Sequence, residues 1–144
     1  MCLNYSKVFN DIYLLIYFYY LEVGYMAVYQ NKEFWDYLDK LVKESEIIID
    51  RPKGSSHPKF PDYSYPLDYG YLENTSSMDG EGIDVWLGSE PSKKLDAIIC
   101  TVDLIKKDSE IKLLIGCTQE EKDKVYERCN APNFFKGILI ERKI

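Results

Sequence analysis

An amphipathic helix is the first element that the chain predicts. Apolar side chains recur about one helical turn apart, with charged residues between them, at Phe34, Trp35, Leu38, Leu41 and Val42. This spacing places the apolar groups on one face of a helix. Asparagine is a preferred N-cap residue, so we expect the helix to begin at Asn31.

Short apolar or alternating runs farther along the chain predict β-strands. The pattern and length fit strands at 47–49, 83–87, 95–105, 110–117 and 137–141. Turn-forming Pro, Gly and Ser residues at 51–58 break the first of them. We expect about 25 residues without regular structure to follow that break.

The run at 110–117 differs from the others in its polar positions. Alternation places Glu110, Lys112 and Leu114 on one face and the apolar residues Ile111 and Leu113 on the other. Polar side chains at both 110 and 112 indicate a functional face on this strand.

The balance of elements predicts a mainly β fold with flanking helices. Thr118 and Glu121 have the spacing of a capping box, which opens a second helix that we expect to extend through Tyr126. Five or so short strands with few helices are typical of a small barrel or a rolled sheet. A length of 144 residues with 46% apolar side chains suits a single hydrophobic core.

The first 25 residues differ in composition from the rest. An apolar run of ten residues from Ile12 to Leu21 is too short to cross a bilayer, and it lacks the basic leader and cleavage site of a signal peptide. It is either an appended helix or strand that packs on the domain, or a stretch upstream of a true start at Met26. We favour the second interpretation, because periodic structure with ordinary caps begins after Met26. Residues 1–25 are therefore expected to be an N-terminal extension, and residues 26–144 a single domain.

Charge and cysteine content exclude several functions. The chain has 24 acidic and 18 basic residues, a net charge of −6, whereas binding nucleic acids or anionic membranes requires a basic face. The only histidine is His57, and no CxxC pair occurs, so the ligand spacing of a zinc site is missing. The acidic balance therefore predicts no nucleic-acid and no membrane partner. Unpaired thiols and the lack of a signal peptide indicate a cytoplasmic protein.

An acidic, glycine-rich segment carries the candidate chemistry. Asp79, Glu81 and Asp84 alternate with glycines that permit tight turns, so their carboxylates can converge. Converging carboxylates need a cation between them, and hard oxygen ligands select Mg²⁺, Mn²⁺ or Ca²⁺. An EF-hand is excluded because Ile83 occupies a ligand position and Asp84 stands where glycine is needed. The alternative is a polar turn whose acids face solvent.

Tyrosines and lysines surround this segment along the chain. Tyr65, Tyr69 and Tyr71 are either a packed aromatic strand or hydroxyl donors to phosphate, and Lys59 and Lys112 are individually ordinary surface charges. Together with clustered carboxylates, such groups are what hydrolysis of a phosphoanhydride needs, because metal ions neutralise phosphate oxygens and generate hydroxide from bound water.

Two blocks of sequence resemble the signature of soluble family I inorganic pyrophosphatases. The segment 65–71 (YPLDYGY) followed by 79–85 (DGEGIDV) resembles the family's YPxxYGY and DGDPxDV blocks, with similar spacing between them. Upstream, 49–52 and Lys59 resemble the family's IEIP…K stretch, so the resemblance extends from Ile47 to about Lys112. It implies an OB-like five-stranded β-barrel with flanking helices and Mg²⁺-dependent hydrolysis of pyrophosphate to phosphate, with Mn²⁺ as another possible metal. It also implies a homo-oligomer.

The resemblance assigns metal ligands residue by residue. Asp79 and Asp84 match the principal metal ligands, and Asp50 matches an acid of the metal shell. Glu110 matches the aspartate of an Asp-x-Lys motif, which gives a further ligand. Glu81 replaces an aspartate that acts on the attacking water, and its extra methylene changes the reach of the carboxylate.

The same resemblance assigns the substrate groups. Lys59, Tyr69 and Lys112 match phosphate-binding residues, and Tyr65 matches a residue that supports the pocket. The family has a long hairpin that carries an arginine, and in this chain only the four residues 61–64 occupy its place. Arg51 is a possible substitute for that arginine. The family's C-terminal Tyr-Lys pair has no clear match. Two alternatives to pyrophosphate hydrolysis therefore stay open. One is a catalytically weakened binding or regulatory protein, and the other is a hydrolase of another diphosphate, such as a nucleotide or sugar derivative.

Overall fold

The computed structural model describes the backbone of residues 5–143 and the side chains of residues 13–19 and 31–143. The elements are α1 (Tyr5–Lys43), β1 (Ile47–Arg51), β2 (Ser56–His57), β3 (Phe60–Ser64), β4 (Asp68–Leu72), β5 (Ile83–Leu87), β6 (Leu95–Asp103), β7 (Asp108–Ile115), α2 (Gln119–Asn130) and β8 (Phe135–Glu141). The chain divides into two compact units, with the boundary between Leu38 and Asp39, inside α1.

Six strands form one mixed sheet in the order β1-β4-β5-β7-β6-β8, and β2 pairs with β3 in a separate two-stranded sheet. Only the β5–β7 pair of the large sheet is parallel. The prediction of a mainly β fold with flanking helices is confirmed, with six strands in the sheet where five were expected. Strands β4, β5 and β7 are neighbours, which brings together segments that lie far apart in sequence.

The hydrophobic core lies against one face of the large sheet. Trp86, Ile99 and Leu114 project from neighbouring strands and pack with Val125 and Cys129 of α2. These five side chains are between 0% and 3% exposed, so they supply the main burial of apolar surface in this unit. Leu114, two residues beyond Lys112, is buried in this core, and Leu113 and Ile115 on the opposite face of β7 are buried as well.

Helix α2 begins with the predicted capping box. The Thr118 hydroxyl accepts a hydrogen bond from the Glu121 N–H at 3.2 Å, and the Glu121 carboxylate accepts one from the Thr118 N–H at 2.9 Å. That carboxylate also accepts the Ser89 N–H at 3.1 Å, which ties the loop after β5 to the helix. Glu121 is only 8% exposed, so its charge depends on these donors.

Helix α1 starts much earlier than predicted. The expectation of a helix that begins at Asn31 is wrong, because α1 is continuous from Tyr5. The apolar run 12–21 has no proline that would end a helix. A helix can therefore continue through it, although the run lacks the alternating apolar and polar faces that the prediction relied on. Side chains 13–19 are exposed. No helix in the described residues is both long enough and apolar enough to span a membrane. A true start at Met26 and a domain spanning 26–144 stay predictions.

The expectation of about 25 residues without regular structure is also wrong, because β3 and β4 lie in that stretch and β2 lies in the turn segment before it. Pro61 weakens the strand signal, but β3 has a single partner strand, and an edge position tolerates proline. Gly70 of β4 is required by close packing: a Cβ there would lie 1.8 Å from the Ile48 carbonyl oxygen of β1. The tyrosine-rich motif is therefore a strand whose glycine permits pairing with β1.

Replacing Glu121 with alanine should lower the free energy of unfolding by about 2–3 kcal/mol, because the buried carboxylate that accepts the N–H groups of Thr118 and Ser89 is lost. Burial opposes the charge, but the N–H groups of Thr118 and Ser89 outweigh it and lower the pKa of Glu121. This contribution is present above the ordinary carboxyl pKa of about 4.3 and is lost as pH falls through the lower folded-state value.

Urea unfolding at pH 7 and at pH 3 measures both effects, and Glu120→Ala is the matched control, because Glu120 is an exposed acid in the same helical turn. Equal losses for the two variants at pH 7 would contradict the role given to Glu121.

Candidate active site

A buried lysine is the centre of the polar cluster at one end of the core face. Lys112 is 7% exposed, and its ammonium group donates to Glu110 Oε2 at 2.7 Å and to the Tyr69 hydroxyl at 3.3 Å. It also donates to Asp84 Oδ2. Tyr69, Asp84 and Lys112 come from the neighbouring strands β4, β5 and β7, so sheet order places them together.

The charges of this cluster depend on one another. Burial opposes the charge of Lys112, but the carboxylates of Asp84 and Glu110 outweigh it and raise the pKa of the ammonium group. Burial and the adjacent Asp84 carboxylate raise the pKa of Tyr69 well above its ordinary value. At neutral pH, Lys112 is therefore charged, and Tyr69 keeps the proton that a hydrogen-bond donor needs.

A tight turn positions the acidic segment beside the cluster. The Asp79 carboxylate accepts the Glu81 N–H at 3.0 Å and the Ser77 hydroxyl at 2.9 Å. The Glu81 N–H is the main cause of a lowered pKa for Asp79. Gly80 adopts a φ of +83°, which side chains other than glycine rarely permit. The glycines between the acids thus produce the bend that the sequence predicts.

Most of the predicted site residues line one cavity of about 520 Å³ between the turn and the sheet. The predicted residues in its wall are Asp50, Tyr65, Tyr69, Asp79, Glu81, Asp84 and Lys112. Glu110 lines an adjoining cavity and joins the cluster through Lys112. Lys59 also lines only that second cavity, and its backbone N–H donates to His57 Nδ1. Four of the predicted residues are therefore in direct contact: Tyr69, Asp84, Glu110 and Lys112. Asp50, Asp79, Glu81 and Tyr65 share only the wall of the first cavity with them.

Two further cations line the first cavity: Lys106, which the sequence did not single out, and Arg51, which it offered only as a possible substitute for the family's arginine. Lys106 lines both cavities from the β6–β7 turn, where the Asp103 carboxylate accepts its N–H at 3.0 Å. Arg51 lines the first cavity and pairs with Asp50 at 2.8 Å. Burial and the charges of Arg51, Lys59 and Lys106 lower the pKa of His57, so this imidazole is neutral at pH 7. A single lysine in a turn has no sequence signal, and Lys106 could be recognised only from the paired strands.

The carboxylates of the cluster suit a hard divalent cation, but in this structure Asp84 and Glu110 pair with the ammonium group of Lys112. Carboxylates are the ligands that Mg²⁺ selects, and the buried Oε1 atom of Glu110 has no hydrogen-bond partner within the described residues. In the same part of the chain, no three acidic, histidine or cysteine side chains are grouped as metal ligands. Lys112 supplies the positive charge shared by Asp84 and Glu110. The residues fit Mg²⁺ in kind, and a bound ion would share these carboxylates with Lys112.

The structure is similar to two solved structures. One is an inorganic pyrophosphatase from Helicobacter pylori, with 15% identity, a TM-score of 0.46, and coverage of 67% of this chain and 82% of that one. The other is described as an inorganic phosphatase from Anaplasma phagocytophilum, with 14% identity, a TM-score of 0.45, and coverage of 66% and 81%. No protein-family model and no curated protein matches the sequence.

Replacing Lys112 with methionine should lower the free energy of unfolding by about 3 kcal/mol, because it removes the one cation from a buried ion-pair network. Lys122→Met is the matched control. Lys122 is equally buried, at 7%, but its partners Asp96 and Glu141 have side chains that are 39% and 47% exposed and can be hydrated. Urea unfolding should show a clearly larger loss for Lys112→Met, and equal losses would contradict the central position of Lys112.

Proposed function

We propose that this chain is a Mg²⁺-dependent hydrolase that converts pyrophosphate to phosphate in the cavity beside Lys112. The observation that carries the proposal is the contact of one buried ammonium group with Asp84, Glu110 and Tyr69, at a cavity whose wall also contains Asp79 and Glu81. Cations, a protonated phenol and several carboxylates in one cavity match the needs of phosphoanhydride hydrolysis.

Local charge supports binding of a polyanion by an acidic chain. The net charge of −6 disfavours a general attraction to phosphate, but Arg51, Lys106 and Lys112 all line the first cavity. Their ammonium and guanidinium groups would bind phosphate oxygens through charge-assisted hydrogen bonds. Tyr69 would donate its hydroxyl proton to a further oxygen, as its raised pKa permits. Tyr65, which is 6% exposed, would support the ring of Tyr69, with the two ring centroids 5.3 Å apart.

The acidic residues divide into ligands and a general base. Asp79, Asp84, Glu110 and Asp50 would hold Mg²⁺ or Mn²⁺. Such an ion neutralises phosphate charge and lowers the pKa of a bound water. Glu81 would accept a proton from the attacking water, because its side chain is exposed at the cavity and does not share the Lys112 network. Lys112 would turn the N–H that it gives to Tyr69 toward the diphosphate while it continues to donate to Asp84 and Glu110. Cytoplasmic location and assembly into a homo-oligomer belong to the same proposal.

A second candidate is a protein that binds a diphosphate without hydrolysing it. The observation in its favour is that Asp84 and Glu110 already form ion pairs with Lys112, so both carboxylates have a cationic partner other than a metal ion. Calorimetry with methylenediphosphonate, an uncleavable analogue, distinguishes the candidates: binding together with phosphate release from pyrophosphate supports the enzyme, and binding alone supports the second candidate.

Asp84→Asn should reduce kcat/KM for pyrophosphate about 100-fold or more in the presence of Mg²⁺, because a ligand charge is lost and the partner of Lys112 is weakened. Phosphate release measured over a series of pyrophosphate concentrations gives this value. Asp123→Asn, a change of the same kind on the exposed surface of α2, should have no effect.

Circular dichroism of Asp84→Asn separates lost activity from lost structure. A folded variant that releases phosphate at the wild-type rate would refute the proposed assignment of Asp84, and absence of phosphate release from the wild-type chain would refute the enzyme.

A further inference from the structure

A second cavity of about 570 Å³ adjoins the proposed diphosphate site and differs from it in character. Five residues line both cavities: His57, Tyr65, Tyr69, Lys106 and Lys112. The additional wall contains five aromatic residues, Phe60, Tyr63, Trp86, Phe134 and Phe135, together with four acids, Asp62, Asp103, Asp108 and Glu110. Inorganic pyrophosphate has no apolar part that such a wall would bind. The volume is within the usual range of about 300–1,000 Å³ for small-molecule sites.

Two buried donors in this wall have no acceptor. The Trp86 side chain is in the core at 1% exposure, and its Nε1 atom has no hydrogen-bond partner among the residues that the structure describes. The same holds for Nε of Arg128. The Arg128 guanidinium lies over the Tyr63 ring, with its central carbon 3.5 Å from the ring centroid. Both nitrogens are buried beneath the wall, so a ligand in the cavity would contact the ring and guanidinium faces rather than these N–H groups.

The aromatic part of the wall therefore favours a planar ring. Aromatic side chains and guanidinium planes stack on nucleobases. A purely aliphatic group would fill the space without stacking on these planes. Phe60 at 56% and Phe134 at 36% exposure indicate that the cavity is open at its mouth, as entry of a large ligand requires.

We propose that the preferred substrate is a nucleoside diphosphate, with the diphosphate beside Lys112 and the base in the aromatic cavity. This inference rests on the proposed function, and it deepens that function by naming the substrate class. The shared residues Lys106 and Lys112 are at the junction, where the phosphates would pass from one cavity to the other.

The reaction is the same hydrolysis with a larger leaving group. Water oxygen forms a bond to the terminal phosphorus, and the P–O bond of the anhydride breaks. The bridging oxygen keeps its electron pair as part of the nucleoside monophosphate, and one proton of the water is released through Glu81. The products are a nucleoside monophosphate, inorganic phosphate and a proton, so no oxidant or further reactant is needed.

Binding tests the base cavity independently of turnover. Calorimetry on the full chain compares methylenediphosphonate with the α,β-methylene analogue of adenosine diphosphate, which has the same uncleavable diphosphate and adds a nucleoside. We expect the nucleoside analogue to bind at least about tenfold more tightly, because each stacked base adds affinity. Equal affinities would overturn the inference while leaving the diphosphate site intact.

Variants then test which residues contact the base. Arg128→Gln should lower the ratio of kcat/KM for adenosine diphosphate to that for pyrophosphate about tenfold, since it removes a stacking group. Phe60→Ala, an exposed position, should change the ratio in the same direction and provides a second variant if Arg128→Gln fails to fold. Glu127→Gln is the matched control, because Glu127 is the exposed neighbour of Arg128 on α2.

The outcomes separate the inference from the proposed function. Hydrolysis of pyrophosphate but of none of the adenosine, guanosine, cytidine and uridine diphosphates would overturn the inference alone. Absence of hydrolysis of all five substrates would overturn both. If the variants reduce both activities in equal proportion, the aromatic cavity has only a structural role and the inference fails. A selective loss with the nucleoside substrates supports it.

Discussion

The ion-pair network of Lys112 is the constraint on which the site depends. A buried ammonium group is unfavourable unless carboxylates compensate it, and two carboxylates as close as Asp84 and Glu110 repel each other unless a cation stands between them. Lys112 therefore requires the two carboxylates, and the two carboxylates require Lys112. The network also restricts the fold, because its members satisfy one another only when β4, β5 and β7 are adjacent in this register. Stability and candidate chemistry thus share the same few side chains.

The core and the polar cluster are successive parts of one sheet face. On β7, Leu114 belongs to the core and Lys112, two residues before it, belongs to the cluster, while on β5 the same relation holds for Trp86 and Asp84. Rigid strands hold the polar groups in position, and the more open turn around Asp79 brings the other acids to the same cavity. Such an arrangement gives a positioned binding wall on strands and leaves access to solvent through a loop.

Local patterns in the sequence predicted β5 and β7, two of the three strands that carry the network, whereas features that arise from strand pairing could not be predicted from it. Alternation correctly placed Glu110 and Lys112 on one face of β7, and the capping box of α2 was recognised from Thr118 and Glu121 because that contact is local. Strands β2 to β4 were missed because turn residues interrupt them and their stability comes from partner strands. The positions of Lys106 and of the aromatic cavity depend on tertiary packing, which no short segment encodes.

The account predicts that a divalent cation and Lys112 share the carboxylates of Asp84 and Glu110. The most direct measurement is a crystal structure determined with Mn²⁺ and methylenediphosphonate, in which anomalous scattering locates the metal. We expect an anomalous peak within coordination distance of Asp79, Asp84 and Glu110, with the diphosphonate in contact with Lys112. A diphosphonate bound elsewhere, or a site beside Lys112 that contains no Mn²⁺ at saturating concentration, would contradict the account.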